Sequence, residues 1–140
     1  GNSGWNWNDE MFANFRMQYG LERNDGKVWT DNRVYTGREV MEHYKNEYHK
    51  TIGTGVNDDG IHYMLGRLAG DDCIGWEPFK LTFRELTATG GAGASSKYAK
   101  FEHFLSLLSK YASEELGRDI DVETQYFSES ELASIRRTLQ

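Results

Sequence analysis

Only one cysteine, Cys73, and one proline, Pro78, stand among the 140 residues of this chain. A lone thiol cannot close an intrachain disulfide, which excludes the stapled scaffolds of small secreted domains. No apolar run approaches the roughly 18–20 residues of a membrane span. No charged-then-apolar leader opens the sequence, so the cytoplasm is the expected compartment. Positive charge is also in short supply: 16 Lys and Arg against 22 Asp and Glu leave a net charge of -6 and a pI near 5.2. That balance argues against a general nucleic-acid coat, whose affinity comes from phosphate neutralisation. It leaves room for a local basic patch, because net charge says nothing of distribution.

Rings are plentiful. Aromatic residues make up 14% and apolar residues 38%, enough for a core built on large side chains. The length suits a single domain over residues 1–140. Fifteen glycines punctuate the chain unevenly and no internal repeat is visible. Near the start, Asn8 or Asp9 is placed to cap a short helix to about Met17, with Met11, Phe12 and Phe15 on one face and Gly20 ending it. Residues 27–35 suit a small hairpin with Asp31-Asn32 at the turn.

Thr36-Gly37-Arg38-Glu39 has the form of a capping box. Val40, Met41, Tyr44 and Tyr48 follow on one helical face, predicting a helix to about His49. Residues 53–60 read as loop, residues 61–69 fit a helix or a strand, and residues 70–78 read as a second loop. Phe79, Leu81 and Phe83 alternate with Lys80, Thr82 and Arg84, which predicts a half-buried strand. A small, glycine-rich turn over residues 87–96 then leads into a long amphipathic helix near residues 96–116, with Ser95 or Ser96 as its cap and Gly117 at its stop. Ser128-Glu129-Ser130-Glu131 is a second capping box, followed by the stripe Leu132, Ile135 and Leu139. Together these elements predict an α+β fold: a small antiparallel sheet with three to four helices.

Chemistry-bearing patterns are sparse. Gly90-Gly91-Ala92-Gly93-Ala94-Ser95-Ser96-Lys97 precedes a helix, and helix starts attract anions. Neither the P-loop nor the dinucleotide fingerprint can be read there, so a plain connection is the simpler interpretation. His43 and His49 lie six apart and do not share a helical face. Asp58, Asp59, His62, Asp71 and Asp72 are carboxylates and imidazole of the type that holds a divalent ion, at a spacing matching no metal motif. His103 beside Phe104 reads as a structural histidine, and carboxylates beside Cys73 should raise its pKa. With no nucleophile elbow, triad or metal cage, no catalytic residue, cofactor or metal is expected, and the chain does not read as an enzyme.

Basic and aromatic residues do interleave. Arg23, Lys27, Trp29, Arg33, Tyr35 and Arg38 cluster in sequence. Such mixtures can stack bases and neutralise phosphates on single strands. The alternative is that the rings belong to the core and the cations to its rim.

The run Arg84-Glu85-Leu86-Thr87-Ala88-Thr89, the glycine-rich turn and residues 100–117 together resemble the C-terminal half of the phage NinB/Orf family of recombination proteins. Phe101, Leu105, Leu108 and the ending Tyr111-Ala112-Ser113-Glu114-Glu115-Leu116-Gly117 carry the likeness. The helix over residues 38–48 is similar to the family's preceding helix. The resemblance implies a homodimeric α+β protein that binds single-stranded DNA and mediates recombination.

The leading expectation is therefore a phage-type accessory protein contacting single-stranded nucleic acid through Arg23, Lys27, Trp29, Arg33, Tyr35, Arg38 and Lys97. A second is a small acidic interaction or inhibitor module, with Asp58-Asp59, Asp71-Asp72 and Glu114-Glu115 on its working face. A third is a metal-dependent nuclease built on Asp58, His62 and Asp72. A homodimer is also expected from the residues themselves, because Phe104 and Leu107 fall outside the main stripe of the long helix and leave an over-wide apolar surface.

Overall fold

Pro78 decides the architecture of the middle of the chain. The computed structural model describes residue 15 and residues 27–30, 33–70, 72–90 and 96–140. Residues 79–84, expected as a strand, lie inside helix α3, Glu77–Thr89, with Pro78 in its first turn. Proline is preorganised for that position, because its φ is already helical and its missing N–H would have no partner there. Over six residues, alternation and helical spacing cannot be told apart. Over thirteen, Phe79, Thr82 and Leu86 turn inward at helical spacing. The segment 87–89, expected as part of a turn, completes the same helix. Gly90 then ends it with φ 70°, a left-handed conformation that favours glycine, and its amide donates to the Leu86 carbonyl.

The α+β expectation is thereby overturned, because the body of the protein is helical. Besides α3 it comprises α1 (Gly37–Thr51), α2 (Asp58–Gly66) with a 3-10 turn at Arg67–Ala69, α4 (Lys97–Leu116), α5 (Val122–Tyr126) and α6 (Glu129–Leu139). Strands are limited, among the described residues, to an antiparallel ribbon of β1 (Lys27–Thr30) and β2 (Arg33–Thr36) leading into α1. The expected helix over residues 8–17 lies outside the described residues except for Phe15, which is helical and fully buried.

Side-chain caps account for several helix starts. Asn57 accepts from the Gly60 amide at 2.8 Å and resolves the ambiguous segment after it as helix. Ser96 accepts from the Ala99 amide at 3.0 Å and opens α4. Ser128 and Glu131 form the full reciprocal capping box of α6. Each such cap is worth about 1 kcal/mol.

One hydrophobic cluster runs through the molecule. Phe79, Phe101, Phe104, Ile61, Leu65 and Leu108 are fully buried in it, and α6 closes it with Ile135 and Leu139. Phe15 packs on Trp76, Phe79 and His62, with ring centroids 5.0–5.3 Å apart. Phe104 is 0% exposed and Leu107 only 7%. The surplus apolar surface that suggested a second subunit is thus covered within one chain. Among the described residues, no helix is long and apolar enough to cross a membrane.

Candidate functional site

The described basic and aromatic candidates fall on the ribbon, the first turn of α1 and the start of α4. Lys27, Trp29, Arg33 and Tyr35 lie on the ribbon, whose register pairs Lys27 with Thr36, Val28 with Tyr35, Trp29 with Val34 and Thr30 with Arg33. Successive positions of a strand belong to opposite faces. Positions 27, 29, 34 and 36 therefore share one face, and positions 28, 30, 33 and 35 the other. Arg38 is exposed in the first turn of α1, directly after the ribbon. Lys97 is exposed at the start of α4, where the glycine-rich segment 91–95 lies outside the described residues. Arg23 also lies outside them.

The acid and imidazole candidates are rearranged more thoroughly. His62 is 1% exposed, stacked on the Tyr44 ring with centroids 3.9 Å apart. Burial pushes its pKa down to about 3, so it stays neutral inside the core. Asp72 is exposed and Asp58 half-buried, and the three do not converge on a common point. The expected nuclease set thus fails for a physical reason: its imidazole is a core ring. Cys73 is half-buried, and its pKa is raised as expected, but burial is the main cause and Asp72 only adds to it.

A different trio does converge. His43 Nε2 lies 3.3 Å from Asp59 Oδ2, and Glu47 brings its carboxylate alongside, so that one ligand atom from each lies within 4.8 Å of the others. His43 and Glu47 are one helical turn apart on α1, while Asp59 stands in the first turn of α2. The sequence held half of this signal, a His and a Glu at i and i+4. The other half, the folding of α2 back onto α1, has no local signature.

No family model, curated protein or solved structure matches this chain. The remaining polar clusters serve the fold. Glu131 accepts from Arg67 at 2.9 and 3.0 Å, from the Tyr48 hydroxyl at 2.8 Å and from the Ser128 amide at 2.9 Å. Burial alone would raise the Glu131 carboxyl, but these donors outweigh it and hold it below the usual carboxylate range. Arg67 also donates to the Tyr126 carbonyl at 3.2 Å and lies over the Tyr63 and Phe127 rings. On the surface, the Tyr111 hydroxyl donates to Glu85, which Lys110 approaches at 3.3 Å. Exposed carboxylates run from the last turn of α4, at Glu114 and Glu115, into the segment after it, at Asp119 and Asp121. Half-buried Glu123 continues it, its carboxyl pushed up by burial and then by Glu102 and Asp121.

Proposed function

We propose that this protein binds single-stranded nucleic acid without catalysing a reaction, and that its contact surface is the ribbon together with the first turn of α1. The observation that supports this reading most is the concentration of cations in one continuous element. Over residues 27–38 the chain carries Lys27, Arg33 and Arg38 against the single acid Asp31, in a protein of net charge -6. The register assigns Arg33 and Tyr35 to one face of the ribbon, with Arg38 following on the helix. On this reading Arg33 and Arg38 neutralise phosphates and Tyr35 stacks on a base, while Lys27 and Trp29 stand at positions of the opposite face. Likeness to the NinB/Orf family points to the same ligand class, with strand exchange or partner loading as the larger role.

Fluorescence anisotropy of a labelled single-stranded oligonucleotide tests this reading. Saturable binding is expected at low salt, weakening as salt rises. Each cation withdrawn from a phosphate should lower the salt slope by about 0.7, so Arg33→Ala with Arg38→Ala should lower it by roughly 1.4. Tyr35→Ala should cost about 1–3 kcal/mol, and Lys27→Ala less than Arg33→Ala. A flat trace at low salt from folded protein overturns the proposal. It would favour the second reading, in which the carboxylate line from Glu114 to Glu123 docks on a basic protein surface.

A further inference from the structure

We propose that His43, Glu47 and Asp59 bind a divalent transition-metal ion that fastens α1 to α2. The site stands on its own geometry and does not depend on nucleic-acid binding. Its donor set is one imidazole nitrogen and two carboxylates, the mixture that suits zinc, cobalt or manganese rather than magnesium or calcium, which prefer all-oxygen shells. The separation is also apt. Two ligands of a tetrahedral zinc ion, each about 2.0–2.1 Å from the metal, stand about 3.3–3.4 Å apart. His43 Nε2 and Asp59 Oδ2 are separated by 3.3 Å. Glu47 completes the triangle at no more than 4.8 Å, within reach of a modest rotation of its side chain. Water would fill the remaining positions, since His43 and Asp59 are 59% and 40% exposed.

The frame that holds the donors is built rather than incidental. The turn between the helices is pinned from α6: Ser134 Oγ accepts from the Gly53 amide, Thr138 Oγ1 accepts from the Val56 amide, and Arg137 donates to the Gly53 carbonyl. Asn57 caps α2 and also turns its side-chain amide toward Glu47 Oε2 at 3.4 Å. That second interaction is the kind of outer partner that orients a ligating carboxylate. The competing cation is Lys50, 3.8 Å from Glu47 Oε1 and 69% exposed, free to swing into solvent when a metal arrives.

The test uses the full chain carrying Cys73→Ser, which removes its one thiol. Zn2+ titrated by calorimetry should bind one ion per chain and raise the melting temperature, and Mg2+ at the same concentration should do neither. Co2+ should give a visible absorption band that disappears in His43→Ala. Because removing an outer partner alone typically weakens a site tenfold or more, His43→Ala and Asp59→Asn should each lower Zn2+ affinity at least about tenfold. Both changes are on the surface, and circular dichroism of the metal-free variants checks that they fold. Absence of saturable Zn2+ binding would overturn the site and leave His43 and Asp59 as a plain surface contact. Undiminished binding in both variants would overturn it equally, assigning the ion to His49 or His103.

Discussion

Among the described residues, His62 is the one whose chemistry differs most from its surroundings. It is an ionisable ring with the burial of a leucine, sandwiched between Tyr44 and Phe15. In the unfolded chain its pKa is near the ordinary value of about 6.5, whereas in the folded protein it is about 3. Between those values the unfolded chain binds a proton that the folded chain refuses, so stability falls as pH drops below about 6.5, by up to about 1.4 kcal/mol per pH unit. The decline levels off once the folded protein also protonates. Glu131 acts in the same direction lower down: its carboxyl is depressed in the fold, so its contribution is present above its unfolded value and is lost as pH falls through the folded one. Urea unfolding at about pH 6 and about pH 4 should show a steep difference that flattens in His62→Phe by about 1.4 kcal/mol per pH unit. An unchanged slope would assign the acid sensitivity elsewhere. Thr82 makes the opposite kind of exception, a fully buried hydroxyl with no hydrogen-bond partner among the described residues. Thr82→Val keeps the shape and removes the unpaired oxygen. It should raise stability by about 1 kcal/mol, read as a higher urea midpoint at constant m.

At the level of elements, two glycines do different work. Gly60 sits where α2 crosses α1: a Cβ there would overlap Val56 Cγ2 and come within 3.2 Å of the Tyr48 Cα. The backbone of α1 cannot retreat easily, so Gly60→Ala should cost about 1–3 kcal/mol through overpacking. A Cβ on Gly90 would meet nothing within 4 Å, but its φ of 70° is strained for any other L-residue, so Gly90→Ala should cost about 1 kcal/mol through conformation alone. Thermal melts of the two variants separate crowding from strain, and a Gly60→Ala protein as stable as the parent would mean that the helices can slide apart. The contrast also explains what is legible in the sequence. Helix ends set by a residue's own chemistry are readable there: the Ser96 cap, the Ser128–Glu131 box and the Gly117 stop. The strand expected at residues 79–84 does not form because six residues satisfy both periods, and what separates them is the proline in the first turn of the helix. Of the His43, Glu47 and Asp59 trio, only the i, i+4 spacing of His43 and Glu47 is legible; the arrival of Asp59 is not, since it depends on the approach that Gly60 permits between two helices.

Across the whole molecule, one charged cluster ties distant parts of the chain together. Tyr48 comes from α1, Arg67 from the 3-10 turn, and Glu131 from α6, while Arg67 also reaches the Tyr126 carbonyl at the end of α5. The hydrophobic cluster beneath is continuous from Phe15 to Leu139. A core shared in this way should unfold as one unit, with calorimetric and van't Hoff enthalpies equal. Glu131→Gln tests the coupling. It removes the carboxylate charge and replaces one accepting oxygen with a donor, leaving the Arg67 guanidinium half-buried without its ion pair. Removing one partner of a fully buried pair costs about 3–5 kcal/mol. Arg67 is 31% exposed, so water recovers part of that cost, and about 2–3 kcal/mol is expected. For a chain of this size that corresponds to a fall of roughly 6–9 °C in melting temperature. The fall should occur in the single main transition. If α6 instead melted first, as a separate low-temperature step with the rest of the helical signal unchanged, the cluster would be a local clasp, and the cooperativity of the fold would rest on the hydrophobic core alone.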